Sequence, residues 1–411
     1  MAPTMIISDG SLAILKSRGE ATDLVDGVRK ISNASYMSRD SVDSQATVEI
    51  PDEIDSIKTL EFLELNAETA AVVYDKFLAL KAEYPDTDIL RVAKRHVRSV
   101  AGDAHLLTDD WSGVMQRIGL TSNYQLRVLS PNWVHMRVNA TAKETAIWMM
   151  EMRYEFLQAL DSFIESPAKG LGRKVSHLDV SGRLQPGTPV IPPRSDSKGR
   201  GQPSSGIFKA GPSTSTKARE PPSELPGCQL FYKGGSVARL EKLNNPDGTL
   251  SLQRLVSTPP TDFSARTAGL YLSKQEKVAF EYAGWAKQVV DGNVVPVGIM
   301  CIAIPDVLLS SHTQVFGDQW RELVWCCRHE DFLPDYLSDL TTTYQWIVGP
   351  VCHQSNAVVL KMTNSSELVI WKLDRGETAS QHYTSSTQML QLLNSSCVGK
   401  VWITNLAREE K

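Results

Sequence analysis

Lys233 and Gly234 close a short apolar run, Leu230-Phe231-Tyr232. A cation beside a glycine can meet a ligand at close range, because glycine has no side chain to hold the backbone away. Tyr271 sits in a second run, Gly269-Leu270-Tyr271-Leu272-Ser273, and Tyr282 follows eleven residues later in a segment of helical spacing. Two rings placed this way can stack on a flat aromatic ligand. Two amides stand on later apolar runs: Gln345 ahead of Trp346-Ile347-Val348, and Gln381 in Ser380-Gln381-His382-Tyr383. Cys352-His353 with His329 would serve as ligands or as a nucleophile and its base, but these residues are read as packed thiols and surface histidines. No CxxC pair occurs, which removes the usual zinc spacing.

The elements that must position these residues lie between about 228 and 405. Short runs rich in β-branched and aromatic residues recur there (CQLFYKGG, AGLYLS, VVPVGIMCIAI, YQWIVGPVC, LVIWKL, VGKVWITNL), parted by turns such as NNPDG and VDGN. Two helical segments, 274–288 and 318–328, interrupt the series. Strands with few helices predict a mixed α+β domain on two facing sheets. Ahead of it, residues 166–226 hold ten of the 21 prolines, and ten Lys/Arg against four Asp/Glu. So few large apolar residues cannot offset the cost of ordering, and the stretch reads as a flexible, locally basic linker.

Residues 56–165 read as helical. Ala71, Tyr74, Leu78 and Ala82 mark a face over 68–84, Asp88 is an N-cap for 88–102, and 109–120 is a shorter candidate. The last helix opens on the capping box Thr141–Glu144 and carries two apolar stripes, one through Ile147, Met150, Tyr154 and Leu157, the other through Trp148, Met152 and Phe156. A helix apolar over so much of its circumference must pack against several others. Residues 1–55 are polar, poorly periodic and expected to be poorly ordered.

The 411 residues carry 43 Lys/Arg and 47 Asp/Glu, a net charge of -4, with 42% hydrophobic and 22% charged residues. This excludes a disordered or collagen-like chain and a global basic field for nucleic acid. No run approaches the ~18 apolar residues of a membrane helix, and no secretory signal is expected. The six cysteines fall in the C-terminal half and read as reduced, mostly buried thiols of an intracellular protein, cytoplasmic or nuclear.

The order of the blocks resembles the ADP-ribosyltransferase superfamily. LFYKGGS is similar to its first strand, where a His or Arg precedes a Gly, and AGLYLSKQEKVAFEYA to its Gly-x-Tyr strand and helix. In the poly(ADP-ribose) polymerase branch a second aromatic lies at this eleven-residue spacing. TDFSARTAGLYLS, WRELVWCCR, YQWIVGPV and SQHYTSSTQMLQLL also resemble the blocks of a small branch seen in fungal proteins. DDWSGVMQRIGL and WMMEMRYEFL resemble N-terminal regions of fungal proteins, implying a fungal source and no activity.

The resemblance implies NAD as substrate, cleaved through an oxocarbenium-like transition state. Carried over residue by residue, Tyr232, Lys233, Gly234, Tyr271, Ser273 and Tyr282 would contact NAD. Gln345, or alternatively Gln381, would stand where the polymerases place a catalytic glutamate. Neither amide carries the charge that would offset a developing cation. Glu322 and Glu281 are read as surface or salt-bridged carboxylates. The expectation is therefore a helical module, open to a protein partner, joined by a disordered linker to an ADP-ribosyltransferase-like domain over 227–405. That domain binds NAD or ADP-ribose and either cleaves the nicotinamide–ribose bond or is a catalytically inactive binding module.

Overall fold

Pleated runs and amphipathic helices alternate along the chain as their apolar spacing dictates. The computed structural model describes residues 4–37, 46–106, 108–137, 140–165, 174–175 and 221–406. The protein is α+β. Near the N-terminus β1 (Val28–Ser32) pairs antiparallel with β2 (Thr47–Pro51). A four-stranded sheet then runs β3 (Lys174–Val175), β10 (Val401–Asn405), β6 (Val297–Pro305), β4 (Cys228–Ser236), every pair antiparallel. A second runs β5 (Leu270–Leu272), β9 (Ser380–Thr384), β8 (Trp346–Pro350), β7 (His312–Gln314), with only β7 and β8 parallel. The two sheets meet over Phe231, which stacks on Trp346 at 6.3 Å and meets the His382 ring edge-on at 4.9 Å. A backbone bridge between Tyr232 and Ser273, with N–H···O distances of 2.7 and 3.1 Å, joins their edges.

The N-terminal helices are α1 (Asp9–Ser17), α2 (Ile57–Phe62), α3 (Ala67–Glu83), α4 (Ile89–Ser99), α5 (Trp111–Ile118), α6 (Ser122–Val128), the single turn α7 (Val134–Arg137) and α8 (Ala142–Glu165). Asp88 caps α4 by accepting from the Arg91 amide, and Thr141 and Glu144 exchange the two bonds of a capping box on α8. The face of α3 differs from the expected one. Ala70, Val73 and Phe77 are buried, while Leu78 is half exposed. Both stripes have helical period, and only the packed neighbours α2 and α4 select between them. The first 55 residues, expected to be poorly ordered, hold α1 and the β1–β2 pair, with Leu15, Ile31 and Ile50 fully buried. Their apolar residues are spaced too sparsely to register as a period but meet α8 and α2 in space.

The C-terminal helices are α9 (Val237–Glu241), α10 (Glu276–Val290), α11 (Gly317–Arg328), α12 (Asp335–Thr343), α13 (Asn356–Val359) and α14 (Thr387–Ser396). Of the expected linker, only 174–175 and 221–226 lie within the described residues; Lys174–Val175 adds an edge to β10. Among the described residues no helix is long and apolar enough to cross a membrane.

α8 joins the two halves. It packs on α1, α4 and α5 on one side and on α9 and α10 on the other, so one apolar core runs continuously from Ile6 to Ile403. At this junction Trp133 crosses α10 where Gly284 leaves room: a Cβ there would stand 2.1 Å from the indole. Buried Arg153 of α8 donates to the Phe62 carbonyl (2.6 Å), to Glu64 (2.9 Å) and to the Val290 carbonyl at the end of α10 (2.8 Å). Arg127 also donates to Glu64 at 2.6 Å. Burial pushes the Glu64 carboxyl up, but Arg153, Arg127 and the Thr121 hydroxyl together hold it below the ordinary range.

Removing one partner of a buried ion pair strands the other, so Arg153→Ala should destabilise the chain by about 3–5 kcal/mol in denaturant titration. The N- and C-terminal halves should unfold in one transition, because they share a core. The lowered pKa makes the Glu64 contribution complete above the ordinary glutamate value of about 4.3 and lost as acid protonates the folded carboxylate. Acid unfolding should therefore begin at higher pH in Arg153→Ala than in the unsubstituted chain.

Candidate functional site

Lys233, Tyr271, Tyr282 and Gln381 come from β4, β5, α10 and β9, and all four line one cavity of about 520 Å³. The strand alternation that buries Phe231 puts Lys233 on the same face, toward the second sheet. Its Nζ lies 3.4 Å from the Tyr271 carbonyl oxygen. The Tyr271 hydroxyl donates to Thr261 Oγ1 at 2.7 Å and accepts from the Phe263 amide at 3.0 Å, while its ring packs on Tyr383 at 4.7 Å. The Tyr282 ring meets Trp371 edge-on at 5.4 Å. Burial pushes both phenols up, with the Asp262 charge adding to it, so both stay neutral donors at physiological pH.

The floor of the cavity is a buried polar network. Asp262, 5% exposed, stands in the loop before β5. Its Oδ1 accepts from Arg328 Nε at 2.9 Å and from Arg328 Nη2, and its Oδ2 accepts from the Cys352 amide at 2.9 Å and from Gln381 Nε2 at 2.6 Å. Arg328, the last residue of α11, also donates to the Gln354 carbonyl and to Asn356 Oδ1 at 2.9 and 2.7 Å. Burial lowers the Arg328 pKa, but Asp262 more than reverses this and keeps the guanidinium charged.

Tyr232, Gly234 and Ser273 also line the cavity, each with neighbours of its own, whereas Gln345 does not. It precedes β8, whereas Val351 and Cys352 beyond the far end of the strand do, about 20 Å away at ~3.3 Å per residue. Gly234 is at the cavity edge, but its missing side chain admits α10: a Cβ would stand 2.0 Å from the Ala279 carbonyl oxygen. The Tyr232 ring packs with Leu230, Cys301 and Trp402 on the outer face of the first sheet. The Ser273 hydroxyl is spent, donating to the Ser380 carbonyl at 2.8 Å and accepting from the Gln275 amide at 3.0 Å. Cys352 lines the cavity with its thiol pushed up to about 12 by burial, and His353 turns away to bond the His135 carbonyl at 2.8 Å. Glu281 meets His135 and Glu322 accepts from Tyr336; neither lines the cavity.

Several lining residues carried no assignment from sequence. Asp262 and Arg328 lie inside the quoted blocks TDFSARTAGLYLS and WRELVWCCR, so their motif was visible and their partnership was not. Arg239 follows β4 on α9 without any motif. Glu144, Trp148 and Glu151 come from α8, so the helical module forms one wall. Trp148 had been read as part of an apolar stripe; it is half-buried and faces the cavity. Glu151 pairs with Lys94, and Glu144 caps its own helix. Lys233 is held down to about 8 by burial and by the neighbouring Arg239 charge. Among the described residues no three His, Cys, Asp or Glu side chains gather as metal ligands. The chain matches no protein-family model, no curated protein and no solved structure.

Asp262→Leu should cost about 3–5 kcal/mol in thermal unfolding because it strands a buried guanidinium, and adding Arg328→Met should restore most of it, since an apolar pair of similar volume is tolerated. Peptide mapping after treatment with an amine-reactive reagent should show Lys233 labelled with a midpoint near pH 8, against about 10.4 for exposed lysines.

Proposed function

We propose that this cavity binds ADP-ribose or NAD, and that the chain is an ADP-ribosyltransferase-like binding module in which ligand capture, rather than bond cleavage, is the activity. The observation that carries the reading is the convergence of Lys233, Tyr271, Tyr282 and Gln381 on one cavity. Neutral phenols and an aromatic wall suit a flat ring, and the volume falls within the ~300–1,000 Å³ of small-molecule sites.

The case against cleavage is electrostatic. An oxocarbenium-like transition state needs a free carboxylate nearby. Gln381 is neutral, and both oxygens of Asp262 are already committed to Arg328, the Cys352 amide and Gln381 itself. A second reading, NAD glycohydrolysis, rests on the α8 carboxylates that line the cavity, Glu144, whose Oε2 caps its helix, and Glu151, paired with Lys94 through Oε1.

Calorimetric titration of the full chain should show binding of ADP-ribose and NAD, and Tyr282→Ala should weaken NAD by about tenfold, which is ~1.4 kcal/mol. Silence with both ligands would sink the proposal. Nicotinamide release above a Tyr271→Ala control, abolished in Glu144→Gln or Glu151→Gln, would move the assignment to the hydrolase.

A further inference from the structure

The cavity is lined by charges of both signs. From α8 come Glu144, Trp148 and Glu151, the last paired with Lys94. Lys233 comes from β4 and Arg239 from α9, which itself packs on α8. The Lys233 ammonium has one neutral contact, the Tyr271 carbonyl at 3.4 Å, and no carboxylate. Arg239 uses its backbone amide to bond the Ser236 cap, and its guanidinium has no hydrogen-bond or ion-pair partner among the described residues. The third cation, Arg328, is different: Asp262 neutralises it.

Two adjacent cations repel, and partial burial removes the water that would screen them. Among the described residues Arg153 and Arg127 have Glu64 and Lys242 has Glu155, while buried Arg137 lies over the Trp111 ring. An unpaired cationic pair facing a cavity is therefore an arrangement that an anionic ligand completes. Phosphate oxygens suit it, because a guanidinium fork and an ammonium can engage adjacent phosphoryl groups with charge-assisted hydrogen bonds. The Trp148 ring lining the same cavity offers a flat surface for the rest of such a ligand.

Resting on the reading of this cavity as a nucleotide site, we infer that Lys233 and Arg239 form a diphosphate subsite, and that the ligand class is a nucleoside diphosphate or a dinucleotide built on one. The sequence resemblance made Lys233 a contact to NAD and gave Arg239 nothing; the pairing of the two comes from the tertiary structure.

The test uses the full chain and calorimetry with ADP, adenosine, inorganic pyrophosphate, ADP-ribose and NAD. ADP should bind at least tenfold tighter than adenosine. Arg239→Gln should remove at least tenfold of the ADP affinity while leaving adenosine unchanged and the thermal unfolding midpoint close to that of the parent chain. The dependence of ADP affinity on salt should flatten in the same variant. In the unliganded variant, loss of the neighbouring charge should raise the pH midpoint of Lys233 labelling, which checks that the two cations are close enough to act together. Equal affinity for ADP and adenosine, or an Arg239→Gln chain that binds ADP as tightly as the parent, overturns the subsite. If ADP and pyrophosphate bind but ADP-ribose and NAD do not, the subsite stands and the dinucleotide reading falls. If NAD binds with no loss in Arg239→Gln, the dinucleotide reading stands and the subsite falls.

Discussion

The ion pair between Asp262 and Arg328 is the constraint on which the site depends. A carboxylate this deeply buried is tolerated only when its lone pairs are filled, and here three different stretches of chain fill them. Arg328 brings the end of α11, the Cys352 amide brings the exit of β8, and Gln381 brings β9. The loop that carries Asp262 also receives the Tyr271 hydroxyl through Thr261 and the Phe263 amide. One charge pair therefore fixes the floor of the cavity and the pose of an aromatic ring on its wall. The same commitment leaves neither oxygen of Asp262 free of a partner.

A second buried charge cluster plays the corresponding part between the two halves of the chain. Arg153 satisfies Glu64 on its own side and the α10 carbonyl of Val290 on the other, while the apolar stripes of α8 fill the space around it. The cavity therefore lies in the seam that α8 closes, and Trp148 belongs to it as much as Tyr282 does. The helical module supplies one wall of the cavity, with Glu144, Trp148 and Glu151 along it.

Much of the architecture was legible before any coordinates. Helical period and the Thr141–Glu144 box marked α8, and Asp88 marked the start of α4. The alternation of β-branched residues with Gly and Asn turns marked the two sheets. Tyr271, Tyr282 and Lys233 could be singled out because a ring or a cation beside a glycine has chemical meaning at a short spacing. Gln345 misled because strand order says which strand reaches a site but not which end of it does. Gly234 lines the cavity, but a missing side chain signals a close approach without naming what approaches, and here the backbone of α10 approaches it.

The sequence by itself determined the elements, their caps, and the residue types able to hold a flat ring, since these follow from interactions within a few residues of chain. The tertiary structure alone decided which polar groups pair. Asp262 and Arg328 are 66 residues apart, and Glu64 and Arg153 are separated by 89. Lys233 and Arg239 are close in the chain, yet their shared lack of an acid is a property of the space around them. Whether a charge is neutralised or left open to a ligand depends on every neighbour that folding brings near it, and no local pattern encodes that sum.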